Sequence, residues 1–269
     1  MILKFNQFFL ERLSYSEEVQ TISKTVIDYL YSQENWQSEE VIKIDNPVIK
    51  EVRIQLVDNL KKSSFVPSKS DYTNGMIFLE FDPDEITEGL INHEVFHGWE
   101  WIKNKAKQLT NSFEWSIIQL DNYFSQDETI SEIIHLFYLM SDAEIRSNFN
   151  ADIFEFKRFK EDKNALSKQE IDLLIEQTET FQNYQFVKKF NLNQHLNKLS
   201  SQKLDEFISA VKQTEHMKDG EEAELVLKRF SDLERDRFLQ KLNSIYQKQS
   251  QKLSKYLAKL IAHFKLLIK

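Results

Sequence analysis

Residues 76–105 read MIFLEFDPDEITEGLINHEVFHGWEWIKNK, and this stretch decides the fold. Met76 to Phe81 is rich in β-formers and lies between Gly75 and Pro83, which predicts a short strand. Asp82-Pro83-Asp84-Glu85 then has the marks of a helix start: a capping aspartate, a proline at the first helical position, and a glutamate three residues after the cap. The helix is expected to run to about Lys105, with Ile86, Leu90, Val95, Phe96 and Trp99 as its apolar residues. A strand leading directly into a helix is an arrangement in which a sheet edge can pair with an extended peptide.

On that helix stands His93-Glu94-Val95-Phe96-His97, an H-E-x-x-H sequence. Histidines at i and i+4 share one helix face, about 6 Å apart, so both imidazoles can reach one ion. The glutamate between them is not a ligand in this pattern. It projects beside the metal, where a carboxylate can hold and deprotonate a water that zinc has acidified. The other reading is two surface histidines on an ordinary helix. The helix start and the upstream strand favour the metal.

With these residues the chain resembles the zincin metallopeptidases, over roughly residues 70–155. Metzincins continue with H-x-x-G-x-x-H, but here Gly98, Trp99, Glu100, Trp101, Ile102 and Lys103 follow His97, so that branch is excluded. The gluzincin branch takes its third ligand from a glutamate on a later helix. Ser141-Asp142-Ala143-Glu144-Ile145-Arg146-Ser147-Asn148 fits that pattern. By this resemblance Glu144 is the third ligand, and Asn148, one turn on, accepts a hydrogen bond from a ligand histidine and fixes its tautomer. The stretch from Asp142 to Ala151 is also similar to the second helix of small zincin-like proteins of bacteriophages and mobile elements. Families with this helix often carry Asp where Asn148 stands.

Alternatives stay open at this point. Ser141-x-x-Glu144 is also a capping box, which would turn Glu144 toward its own helix start. Glu132, His135 and Asp142 are rival third ligands. His135, Tyr123 and Tyr138 are candidate transition-state donors, with buried structural roles the plainer reading. Glu100, three residues after His97, is either an acceptor for that histidine or part of a solvated face. Arg146 points to another face, where pairing with a carboxylate is the better reading. Trp99, Trp101 and Trp115 are expected chiefly in the core. His195, His216 and His263 are expected at the surface.

The rest of the chain sets the frame. Of 269 residues only four are Gly and three Pro, against about 12% for the pair in an average protein. That excludes a collagen-like or linker protein and argues against an all-β sandwich, which needs frequent turns. Five of these seven residues, Pro67, Gly75, Pro83, Gly89 and Gly98, fall between positions 67 and 98, around the strand and the motif just described. Helices are expected at 5–33 (one or two), 48–60, 112–124, 128–140 and 142–158, with a strand at 40–46 and a loop over 63–75. The fold expectation is therefore mainly α (α+β): a zincin-like catalytic domain over 1–158 with a small β-sheet and an active-site helix, then a helical C-terminal region over 159–269.

Charge divides along the chain. Residues 1–160 sum to −11 and residues 161–269 to +3. The acidic part disfavours nucleic acid as a partner. The last 29 residues hold seven lysines and no acid, beside an apolar stripe of Leu253, Leu257, Leu260, Ile261, Phe264, Leu267 and Ile268. Packing of this stripe inside the chain or on a partner protein is favoured over a membrane surface or nucleic acid. The chain has no cysteine, which leaves the redox compartment open. It has no signal-peptide pattern and no apolar run of spanning length, so a cytoplasmic protein, or a virion-associated one, is expected.

The reading that follows is a zinc-dependent metallopeptidase. His93, His97 and Glu144 would hold Zn2+, Glu94 would be the general base, and Met76–Phe81 would align a peptide or protein substrate. No individual substrate-binding side chain is assigned. The rival is a zincin-fold protein that acts in assembly or interaction without catalysis.

Overall fold

The computed structural model describes residues 2–33, 36–60, 62–104, 113–162, 166–214 and 226–266; for 2–16, 114–115, 161–162 and 266 it describes only the backbone course. The described chain is mainly helical with one small mixed sheet. It divides into two compact units, Met1–Gln108 with Ser147–Leu166, and Leu109–Arg146 with Ser167–Lys269. The divide passes through a helix, α5 (Asp142–Asp162), so a single cut at 158/159 would fall inside that helix.

The first unit opens with one long helix, α1 (Ile2–Ser32). The sheet follows: β1 (Glu39–Lys43), β2 (Glu51–Leu56), β3 (Ser64–Phe65) and β4 (Met76–Phe81). Its order is β1-β2-β4-β3, with β2 and β4 parallel and the other two pairs antiparallel. A helix was expected at 48–60, but β2 stands there. Glu51-Val-Arg-Ile-Gln-Leu alternates polar and apolar, and Val52 and Ile54 are fully buried while Glu51, Arg53 and Gln55 are not. Period two fits a half-buried strand and leaves a helix without a continuous apolar face.

Strand β4 lies where the sequence predicts it, but it is internal. Its β2 side is paired along its whole length. Its other side is covered by β3, by Val66 N–H donating to Phe78 O, by Ser70 Oγ accepting from Phe78 N–H, and by mutual bonds between Asp71 and Met76. The expectation that β4 offers its edge to a substrate is therefore corrected. The residues read as a loop over 63–75 fold back to occupy that edge, and β3 is the edge strand.

The helix bearing the motif, α2 (Glu88–Lys103), begins five residues later than expected. Asp82 does cap, accepting from Asp84 N–H, but only a 3-10 turn over Pro83–Glu85. Ile86 and Thr87 are then extended, and Thr87 caps α2 by accepting from Leu90 N–H at 3.1 Å. Proline's missing N–H suits either start, so the sequence marks a start without saying whether it continues.

Apolar burial places α2. Val19, Ile22, Val26 and Leu30 of α1, Val52, Ile54, Ile77, Leu79 and Phe81 of the sheet, Ile91, Val95 and Trp99 of α2, and Phe154 of α5 form one core. Each such side chain contributes about 1.5–3 kcal/mol on burial. Polar ties fix the details. Asn92 donates to Ser23 Oγ at 3.0 Å, with both side chains fully buried, and Arg158 pairs with Glu88 at 2.8 Å. Gly98 lets α2 approach the sheet, since a Cβ there would lie 2.8 Å from Ile77 Cγ2.

The second unit is helical: α3 (Phe113–Ile118), α4 (Glu128–Leu139), the start of α5, α6 (Lys168–Gln177), α7 (Glu179–Lys189), α8 (Leu192–Lys198), α9 (Ser201–Thr214) and α10 (Asp232–Leu266). The described part of the basic C-terminal stripe packs inside this unit, while Leu267 and Ile268 lie outside the described residues. Leu253, Leu257, Leu260 and Phe264 are buried, and Lys252 pairs with Asp142. His195 is not a free surface residue as expected: its ring stacks on Phe190 at 4.1 Å and pairs with Glu132 at 3.0 Å. His263 is partly buried, and His216 and the Trp115 side chain lie outside the described residues.

Two outcomes follow. Gly98→Ala should lower the urea midpoint, by about 1–3 kcal/mol of stability, because the β-branched Ile77 cannot swing clear of the new methyl. The second concerns Asp205, whose carboxyl the bidentate Arg235 guanidinium holds below the usual carboxylate range. The stabilisation from this pair is present above the unfolded carboxyl value of about 3.9 and is lost as pH falls through the lower folded value. Thermal melts of Asp205→Asn and wild type should therefore differ at pH 7 and converge in strong acid.

Candidate metal centre

His93 and His97 stand one turn apart on α2, on the side away from Ile91, Val95 and Trp99. Both rings are partly buried, and their Nε2 atoms lie 3.0 Å apart. The rings meet edge to face at 4.7 Å. Tetrahedral zinc with bonds of about 2.0–2.1 Å holds its ligand atoms about 3.3 Å apart. The two imidazoles therefore already converge on the spacing that one ion requires.

Glu144 joins them from the first turn of α5. Ligand atoms of His93, His97 and Glu144 all lie within 4.8 Å of one another, and the three could hold a metal ion. Helix α5 carries Glu144 there. Ser147, one turn on, brings its Oγ to 3.4 Å from His93 Nε2, while Phe154 and Arg158 anchor later turns to the core and to Glu88. Glu144 is only 7% exposed. A carboxylate so buried needs a cation or donors around it. Two imidazole nitrogens and one carboxylate oxygen are a donor set that suits zinc, with a fourth position left for water.

The capping-box reading of Glu144 is met in part. Ser141 Oγ accepts from Glu144 N–H at 3.3 Å, so the serine caps α5 while the glutamate carboxylate lies with the histidines. Asn148 is buried one turn beyond Glu144. The serine between them was missed by sequence reasoning. Its signal was available, because Ser147 is i+3 from Glu144 and shares its helix face.

Glu94 is buried, at 4% exposure. Its Oε2 accepts from the main-chain N–H of Phe65 at 2.6 Å, and its Oε1 lies 3.9 Å from His93 Nε2. One oxygen is thus held by the edge strand and the other lies toward His93 Nε2. Around them, the Trp101 ring packs edge-on against Phe65 at 5.6 Å and Tyr72 at 5.8 Å. Trp99 is core, as expected, stacked on Phe96 at 6.3 Å. Glu100 is buried too, so it does not belong to a solvated face.

The rival ligands point elsewhere. Glu132 and His135 lie on the exposed face of α4, where Glu132 pairs with His195 and His135 packs against Tyr138 and Phe186. Asp142 pairs with Lys252; burial pushes its carboxyl up, and the lysine and Arg146 bring it below the usual range. Tyr123 is half exposed and meets Glu206. Arg146 Nε donates to the main-chain carbonyl of Asp142 at 3.1 Å, and its charge also acts on the Asp142 carboxylate.

Comparison with family models, with curated proteins and with solved structures finds no match to this chain. The side-chain geometry is therefore the ground for a functional reading. Among the described helices, none is long and apolar enough to cross a membrane.

Purified protein equilibrated with zinc and desalted should carry one equivalent by elemental analysis. His97→Ala should abolish that stoichiometry. Glu144→Gln should weaken binding by more than the ~10–100-fold that loss of a supporting neighbour costs. Full affinity in Glu144→Gln would move the third ligand elsewhere.

Proposed function

We propose that this chain is a zinc-dependent metallopeptidase of gluzincin type. The observation that carries the proposal is the convergence of His93, His97 and Glu144 with the Glu94 carboxylate beside them. A metal site built only for structure is closed by four protein ligands. A catalytic one keeps a position open, commonly with three protein ligands. Here three candidate ligands and one adjacent carboxylate come together, which favours catalysis over a structural ion.

Zinc, when bound, would supply Lewis acidity toward water and toward the scissile carbonyl. The protein supplies the proton chemistry. Glu94 Oε1, the oxygen not held by Phe65, takes a proton from the attacking water and delivers it to the nitrogen of the leaving amine. Burial of Glu94 keeps bulk water from competing for that proton. Ser147, whose Oγ lies 3.4 Å from His93 Nε2, and the buried Asn148 one turn beyond Glu144 would be the polar neighbours that steady the ligands. The substrate would be an extended peptide, and it would not pair with β4, which is internal to the sheet.

The test is hydrolysis of a mixed library of fluorescence-quenched peptides by the zinc-loaded full chain. Glu94→Gln should lose about 10²–10⁴-fold in kcat while keeping its zinc equivalent. Zinc binding without any Glu94-dependent cleavage would instead favour a role in assembly or interaction.

A further inference from the structure

Adjacent residues of a strand turn their N–H groups to opposite edges. Directly after β3, the extended Val66 turns its N–H to the sheet, donating to Phe78 O at 2.8 Å. Phe65 therefore faces outward, at the edge where an N–H ordinarily meets water. It meets Glu94 Oε2 instead, at 2.6 Å. The contact joins residues 29 apart in sequence and is a charge-assisted hydrogen bond of the short, strong kind.

Phe65 also grips the helix a second time. Trp101 is seven residues after Glu94 and so lies on the same face of α2, two turns along. Its ring meets Phe65 edge-on, and Tyr72 closes on Trp101 from another side. One residue of the edge strand thus touches α2 at two points, the main-chain N–H at the carboxylate and the side chain at the indole. The ring contact fixes where the N–H is aimed.

We infer that the main-chain N–H of Phe65, steadied by the Phe65–Trp101–Tyr72 ring cluster, is the positioning group for the Glu94 carboxylate. Resting on the peptidase reading above, its role is to pin one oxygen so that the other alone faces the reacting water. A glutamate has three side-chain torsions, and without a partner its carboxylate would sample several orientations. A base displaced by about 1 Å loses about 10²-fold in rate. Phe65 acts through Glu94 and touches neither metal nor substrate in this role.

The experiment uses two variants and two readouts on the full chain. Phe65→Pro removes the N–H at an edge position where the ladder does not need it, so the strand can tolerate it. Phe65→Leu keeps the N–H and replaces the ring. With zinc loaded and the quenched-peptide library as probe, Phe65→Pro should lower kcat about 10–100-fold, with KM and zinc stoichiometry held. Phe65→Leu should cost at most about three-fold in kcat, since the donor remains. The second readout needs no activity. In metal-free protein, amide hydrogen exchange at Phe65 should be slow and should speed up about ten-fold or more in Glu94→Ala, while Val66 stays protected.

Exchange at Phe65 that is indifferent to Glu94→Ala overturns the contact itself, even where Phe65→Pro fails to fold. A kcat for Phe65→Pro within about three-fold of wild type, with zinc bound, overturns the positioning role. If wild-type protein binds zinc and cleaves nothing, the peptidase reading falls and the positioning role falls with it, whatever exchange at Phe65 shows.

Discussion

Everything at this site hangs on how closely α2 can lie against β4. At Gly98 the helix backbone comes so near Ile77 that no β-carbon fits. That approach buries Ile91, Val95 and Trp99 in the core. It turns the opposite side of the helix, with His93 and His97, toward α5. A helix standing off by one methyl would shift both imidazoles relative to Glu144, and metal ligands tolerate only a few tenths of an ångström. Glycine is a poor helix former by about 1 kcal/mol, so its presence in the middle of α2 needs a packing reason, and the contact with the sheet supplies it.

The same logic places the other partners. Later turns of α5 are held to α1 and α2, by Lys157 with Gln20, Arg158 with Glu88, and Phe154 in the core. The edge strand contributes differently. Its hydrogen bonds are divided between β4 on one side and Glu94 on the other. Sheet pairing and the orientation of the glutamate are thus parts of one hydrogen-bond arrangement.

Much of this was legible in the residues. His93, Glu94 and His97 declare themselves because i, i+4 spacing is a local property. Met76–Phe81 is visible as a strand because its β-formers are bracketed by Gly75 and Pro83. Glu144 could be nominated only through resemblance, since nothing local says which of several later carboxylates will fold back onto α2. Glu132 was a rival in sequence, and its engagement with His195 is a tertiary fact. The helix expected over 48–60 failed because Val52 and Ile54 alternate at period two in a segment too short to weigh confidently against period 3.6. The internal position of β4 was hidden for another reason. The strand that covers it is only two residues long, Ser64–Phe65, inside a stretch with the composition of a loop. The late start of α2 turned on the extended backbone of Ile86, which no propensity reports.

The central claim is that one ion joins α2 to the first turn of α5. Diffraction from crystals equilibrated with zinc, recorded on both sides of the zinc absorption edge, addresses it directly. The account predicts a single anomalous peak about 2.0–2.2 Å from a nitrogen of His93, a nitrogen of His97 and an oxygen of Glu144. A peak that excludes Glu144, or no peak between the two histidines, would contradict it.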